Sequence, residues 1–274
     1  MQKIWKNGIR GAAACGLGAA MLTGAVSGAM ADDKVSGTAG VSYNSHFISY
    51  GLDVWGAGDD FYGDRSTTFV FTNIDVAITD DLGIYFGAWG DVNDNTNSAI
   101  GGDIQEVDVW VGANYAIDIV TLGAAYQRWN YASDVEEIVD LSVGLDDSAW
   151  MGDYALSPKL VWHIRTSGNG GQEPGSALVA SIGPGFDLTD SVSLTIPAGV
   201  AFFMDEDFQG GTEDGYAYSY LGASVGVPLE FIPSDYGVWN MNFDLIGYST
   251  EEDAIPGNPE DSFLTASVGL TLAF

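Results

Sequence analysis

The sequence predicts an all-β chain folded as a single antiparallel transmembrane β-barrel of about twelve strands, and three observations carry that prediction. The first is the last stretch, Ser262 to Phe274, where Leu264, Ala266, Val268, Leu270, Leu272 and Phe274 occupy one parity of an extended chain. Thr265, Ser267, Gly269, Thr271 and Ala273 occupy the other, so one face is oily along its length and the opposite face is small or weakly polar. A soluble sandwich would bury the oily face under a second sheet. A membrane strand shows the same alternation over about ten residues, with lipid outside and a polar lumen inside. The second observation is that this pattern recurs in twelve runs without a convincing helical period. The third is that no apolar run of eighteen residues follows residue 31, which argues against a helical membrane protein.

The start of the chain fits export. Met1 to Arg10 carries Lys3, Lys6 and Arg10, and an uncharged run from Gly11 to Met30 closes on Ala29-Met30-Ala31 ahead of Asp32-Asp33. That is the pattern of a secretory signal peptide, expected at 1–31 with cleavage after Ala31, leaving a barrel at 32–274. A transmembrane helix competes for the same run, since about twenty uncharged residues can span a bilayer. The Gly/Ala richness and the A-x-A-like site favour cleavage. Cys15, the single cysteine, leaves with the signal, because Ala12 stands where a lipoprotein site wants a Leu. Disulfides then play no part in the mature chain.

Charge narrows the function. Three of the 8 Lys+Arg lie in the first ten residues, so the mature chain carries 5 against 38 Asp+Glu, a net of -33 that excludes nucleic acid as a partner. With 46% hydrophobic residues and 12% aromatics the chain nonetheless folds rather than remaining disordered.

The runs fall near 36–50, 65–78, 83–90, 104–116, 119–131, 138–145, 154–165, 176–186, 192–204, 216–231, 237–249 and 262–274. Their connections alternate, short at 79–81, 117–118, 188–190 and 233–235, long at 52–64, 91–103, 166–174, 205–215 and 250–261. Short periplasmic turns and longer outer loops are the arrangement of a bacterial barrel. Two connections fit less well: 146–153 is long for a turn and 132–137 short for a loop.

Parity then assigns faces. Glu106 and Asp108 oppose Val107, Val109 and Val111; Asp140 opposes Val139 and Leu141; Lys159, His163 and Arg165 oppose Leu160, Trp162 and Ile164. Asn240, Asn242 and Asp244 oppose Trp239, Met241 and Phe243, and Asp75 joins the inward set with Asn44, His46 and Asn73. A register slip of one would place these charges in hydrocarbon, at roughly 2 to 4 kcal/mol per Lys or Arg near the midplane. Run 176–186 is apolar or small on both parities, so its faces stay open. Arg128 falls on the lipid parity and is expected to snorkel at the outer rim. Trp55, Trp89, Trp129, Tyr131, Tyr218, Trp239 and Tyr248 lie near run ends, where interfacial girdle aromatics belong.

Two resemblances add to this reading. A last strand ending on Leu270, Leu272 and Phe274 resembles the C-terminal signature of bacterial outer-membrane barrels, which implies recognition by the barrel-assembly machinery and residence among outer-membrane lipids. Val35 to Gly56 (VSGTAGVSYNSHFISYGLDVWG) resembles the opening of the Gcw_chp-type envelope proteins, whose mature chains begin with V-S-G, a small-residue strand and an aromatic-rich turn ending in Gly. Those proteins usually carry Arg where this chain has Tyr50, and the resemblance implies a porin-like barrel without naming a substrate.

No catalytic, metal or cofactor site is expected. His46 and Ser49 resemble the His-x-Ser pair of outer-membrane lipid hydrolases, but a spacing of three points them to opposite faces. A zinc site would need His46, His163 and lumen carboxylates to converge across the barrel. Asp91-Val92-Asn93-Asp94-Asn95 starts like a calcium loop but has Thr96 and Gly102 where an EF-hand needs Gly and Glu. Ser167-Gly168-Asn169-Gly170-Gly171 lacks the Lys of a P-loop and reads as a loop tip. What remains is the lumen. A twelve-stranded barrel is wider than the eight-stranded kind that side chains fill, which favours a porin-like channel for small hydrophilic solutes over a lumen closed by ion pairs around Lys159 and Arg165. The six outer connections hold 21 acidic residues and no Lys or Arg, which points to cation preference. The alternative is a sealed barrel with a structural or surface-interaction role through its acidic loops.

Overall fold

The computed structural model describes residues 34–131, 134–168 and 173–274, so the expected signal peptide and residues 169–171 of the Gly-rich tip lie outside the described residues. Twelve antiparallel strands run in sequence order around one closed sheet. They are β1 Val35–Asn44, β2 Thr67–Ala77, β3 Leu82–Val92, β4 Ile104–Ile117, β5 Val120–Tyr131 and β6 Asp134–Leu145. Then come β7 Lys159–Ser167, β8 Gly175–Ile182 continued by Gly185–Asp187, β9 Ser193–Thr195 continued by Ala198–Phe203, β10 Gly215–Pro228, β11 Val238–Thr250 and β12 Ser262–Ala273.

The ring closes because β1 pairs with β2 on one edge and β12 on the other, with Thr38 opposite Ala273 and Asn44 opposite Ser267. Closure leaves no strand edge, which hydrocarbon requires, since it offers nothing to an unpaired backbone group. Phe274 completes the seam: its N–H donates to the Gly37 carbonyl at 3.0 Å, and the Gly37 N–H donates to its carbonyl at 2.8 Å. The ring of Phe274 lies over Gly37, where a Cβ would sit 2.6 Å from it. Val41, Val70, Phe86, Val111, Leu141 and Phe243 are exposed on the outer wall as part of an apolar band, the face a membrane-spanning barrel turns to lipid.

Interruptions have local causes. Proline has no N–H to give a ladder, and the breaks in β8 and β9 fall at Pro184 and Pro197. The Ile196 N–H still donates to the Pro184 carbonyl at 2.9 Å, so the seam between the strands persists. Ala177 of β8 is fully buried inside, which settles the face that its sequence leaves open. Most turns at the end holding both termini are short, the connection after β6 being the longest exception. In two of them a threonine hydroxyl accepts a backbone N–H three residues on, Thr79 from Leu82 and Thr189 from Val192, each at 3.0 Å.

Several expected boundaries move. β6 begins at Asp134 rather than 138, because a strand that rises beyond the lipid band can carry charges without losing its pairing; Glu136 lies opposite Trp129 and Glu137 opposite Arg128. β1 ends at Asn44, so His46 belongs to the following loop. The long connection after β6 is a folded turn containing a helix at Ser148–Met151, and β7 starts only at Lys159. The Asp147 carboxylate ties it together by accepting the Leu156 and Ser157 N–H groups at 3.0 and 2.9 Å.

Burial works against the charge on Asp147, but the Ser157 and Leu156 N–H groups outweigh it and hold the carboxyl below its usual range. A carboxyl depressed in the folded state contributes stability at neutral pH that is lost as pH falls through the folded value. The stability advantage of the native chain over Asp147→Asn should therefore be full near neutrality and vanish in strong acid, as read from unfolding midpoints in detergent. Phe274→Asp should reduce outer-membrane levels in fractionated cells while leaving processing of the precursor intact; normal levels would show that the terminal aromatic is not used in assembly.

Candidate functional site

Twelve strands enclose more space than wall side chains fill, and the exposure of inward residues shows how the space is used. Along β5, Thr121 is exposed, Gly123 is partly so, and Ala125, Gln127 and Trp129 are buried. Along β11, Asn240 is partly exposed, whereas Asn242, Asp244, Ile246 and Tyr248 are buried. The lumen is thus open to water from the short-turn end and closed toward the long-loop end.

Loops make the closure. The segment 45–66 folds inward as a short hairpin in which Ile48–Ser49 pairs with Leu52–Asp53. Tyr50 and Gly51 form its tip with φ of 46° and 81°, a turn that needs left-handed backbone at both positions. A Cβ on Gly51 would meet the Tyr218 ring at 2.6 Å and Ile255 at 2.7 Å, so only glycine fits there. Phe47 packs edge-on to Phe69 with centroids 5.3 Å apart, and Phe208 of the 204–214 loop reaches Phe203 at 4.7 Å. Ala254 and Ile255 of the 251–261 loop complete the cluster. Hydrogen bonds join the three loops: Gln209 Nε2 donates to the Ser49 carbonyl at 2.8 Å, and Asn258 Nδ2 to the Gly51 carbonyl at 2.9 Å.

The wall holds this plug through the polar residues that parity turns inward. The Tyr50 hydroxyl meets Nδ1 of His163, which also faces Asp140 Oδ1 at 2.7 Å. Gln127 Nε2 donates to Asp140 Oδ2 at 2.6 Å, and Trp129 Nε1 donates to Gln127 Oε1 at 3.1 Å. Arg165 pairs with Glu136 at 3.2 Å, donates to the Phe208 carbonyl at 2.7 Å and stacks 4.3 Å above the Phe208 ring. Trp55 Nε1 donates to Asp91 Oδ2 at 3.0 Å. Glu106 and Asp108 stand buried on β4 among these groups, each the other's hydrogen-bonding neighbour, with Tyr131 beside Glu106 and the Asn130 backbone beside Asp108.

Asn44, Asn73, Asp75, Glu106, Asp108, Asp140, Lys159, His163, Arg165, Asn240, Asn242 and Asp244 all sit on barrel strands with their side chains inward, at different depths. Asn73, Asp75, Lys159 and Asn240 remain partly exposed in the open half, and Asn73 bridges Trp110 Nε1 at 3.0 Å to Asp75 at 2.7 Å. Glu106, Asp108, Asp140, His163 and Arg165 are buried beneath or beside the plug. His46 is inside the plug itself, its Nδ1 meeting the Ser45 hydroxyl at 2.7 Å and its Nε2 the Gly58 carbonyl at 2.9 Å. Strand spacing relates it to Ser49 and misses Ser45. Trp89, Trp129, Tyr218 and Tyr248 are buried inside rather than girdling the membrane, because their parity is the inward one at the level of the plug. Asp91, Glu136, Tyr50 and Phe208 are contacts between plug and wall that sequence reasoning misses; for Asp91 and Glu136, continuing each strand's alternation beyond its apolar stretch would have found the inward face.

Closed ring, apolar exterior and polar interior define an outer-membrane-type β-barrel. No family model matches the chain, so the Gcw_chp-type resemblance of its opening strand gains no support, and no curated protein matches it either. Among solved structures the chain is similar to the NanC porin (8% identity, 87% of this chain and 98% of that one, TM-score 0.48). It is also similar to the KdgM porin (8% identity, 86% and 99%, TM-score 0.47) and to the translocator domain of the autotransporter NalP from Neisseria meningitidis (11%, 88% and 88%, TM-score 0.47). Likeness at this distance assigns no activity to the chain.

Removing one member of a buried ion pair strands the other, at about 3 to 5 kcal/mol. Arg165→Met should destabilise the refolded barrel on that scale in urea titrations and expose the 204–214 loop to protease. Adding Glu136→Gln should restore part of the loss; no recovery in the double variant would mean the cost lies in packing against Phe208 instead.

Proposed function

We propose that the chain is a porin-like outer-membrane channel for small hydrophilic solutes, preferring cations and closed at its outer end by a movable loop plug. The observation that carries the reading is the half-open lumen: a polar cup runs from the short-turn end to a stopper made of loops, held by hydrogen bonds and the buried Arg165–Glu136 pair. Around it the wall still bears Asp91, Glu106, Asp108, Glu136 and Asp140. A permanently dry seal would carry these carboxylates at a cost, whereas an open path would hydrate them.

On this reading the precursor is exported, cleaved near Ala31 and assembled with both termini in the periplasm and the long loops outside. The outer connections remain acidic although Asp91 and Glu136 belong to strands, and Arg65 is the sole Lys or Arg in segment 45–66. Such a mouth concentrates cations, with salt screening the effect over about 10 Å at 0.1 M. We read the chain as non-enzymatic: Ser45 and His46 are enclosed in the plug, and the second ring nitrogen of His46 faces a backbone carbonyl rather than a carboxylate.

A sealed barrel acting through its loops is the second reading, favoured by the aromatic packing of Phe47, Phe69, Phe203, Phe208 and Trp129. Planar-bilayer recordings separate the two. The native chain should show rare or low conductance, and a variant with residues 47–54 replaced by a short Gly-Ser link should conduct, with a reversal potential in a salt gradient favouring cations at low ionic strength. A refolded link variant that stays silent supports the sealed barrel; anion preference removes the cation reading and leaves the channel.

A further inference from the structure

Between the plug and the wall made by β1, β2, β11 and β12 lies a cavity of about 30 Å³, lined among others by Asn44, His46, Phe69, Asp244, Thr265 and Ser267. A water needs about 10 to 15 Å³ on this measure, so the space suits one small ion with a water. Asp244 is 7% exposed. The Ser267 hydroxyl donates to its Oδ2 at 2.5 Å, and the Ser224 hydroxyl, directly across on β10, is its other hydrogen-bonding neighbour, so hydroxyls and no cationic side chain meet the carboxylate.

The surroundings hold no counter-charge. Residues 166–274 contain no Lys, Arg or His, and β1, β10, β11 and β12 carry no basic residue. His46 lines the cavity, but both its ring nitrogens are engaged, by Ser45 and by the Gly58 carbonyl. What the cavity offers is oxygen. The Thr265 hydroxyl donates to the Ile246 carbonyl at 3.2 Å, and the Ser267 hydroxyl donates to Asp244, so each retains lone pairs for a ligand. Asn44 adds an amide oxygen. An isolated buried carboxylate is strongly disfavoured unless something neutralises it, and hard oxygen donors select hard cations.

We propose that this cavity binds one small monovalent cation, with Asp244 as the charged ligand and the Ser267, Thr265 and Asn44 oxygens completing its shell. A single carboxylate suits one positive charge, and no group of three His, Cys, Asp or Glu placed to hold a metal ion occurs among the described residues. The site lies two residues beyond Asn242 on β11, where the inward side chains pass from partly exposed at Asn240 to buried. It deepens the cation preference proposed above and rests on that reading for its role, though not for its existence.

The test uses the refolded mature chain in detergent, with no gradient and no need for conduction. Equilibrium dialysis against ²²Na⁺ should retain one ion per chain. The thermal midpoint should rise saturably with Na⁺ but not with N-methylglucamine at equal ionic strength and pH. Asp244→Asn should lose both signals; if it fails to fold, Ser267→Ala should keep the charge and weaken the binding. No retained ²²Na⁺ and identical midpoints in the two salts would overturn the proposal, leaving the carboxyl to a proton or water. A chain that binds the ion yet never conducts would defeat the channel reading and leave the site standing.

Discussion

A strand in hydrocarbon has no water to satisfy its N–H and C=O groups, so the pairing of β1 with β12 is what allows the other strands to exist in lipid. Phe274 extends that seam by its two backbone bonds to Gly37. Closure at twelve strands also fixes the interior at a width that wall side chains alone do not fill. The barrel meets this in two ways. In the half near the termini it lets water in; in the other it folds its own loops inward.

The plug is an apolar cluster with a polar collar. Phe47, Phe208 and Ile255 supply the packing, and Tyr50, Gln209 and Asn258 supply hydrogen bonds between loops and to the wall. The collar carries more negative than positive charge, with Arg165 the basic residue engaged there. Low-dielectric surroundings make such an arrangement sensitive to whatever neutralises it. On the proposed channel reading the same carboxylates would bear on both closure and selectivity, since a plug resting on them is easier to lift than one resting on hydrocarbon alone.

The closed barrel of about twelve strands and the division of its strands into a lipid and a lumen parity were legible in the sequence because hydrocarbon enforces a strict period of two. Legibility ended where lipid ended. Above the band Asp91 and Glu136 continue their strands without an apolar partner pattern to mark them, and β6 therefore starts four residues earlier than hydropathy suggests. Trp89 and Trp129 look like girdle residues from their place at run ends, yet their parity turns them inward onto the plug. The folding of 45–66 into the lumen is a long-range event, set by contacts such as Tyr50 with His163, and no local spacing encodes it. The His46–Ser45 contact, by contrast, arises from a loop conformation that strand periodicity could not describe.

Closure of the lumen requires that segment 45–66 occupy it as ordered structure rather than lie over it as a surface loop. Hydrogen exchange of the refolded barrel, followed by mass spectrometry on peptides spanning residues 47–54, reports on this, since the Val54 N–H is bonded to the Phe47 carbonyl at 2.8 Å inside the barrel. An inserted plug predicts protection of these amides well above that of the exposed loop 94–102. Exchange as fast as in that loop would contradict it.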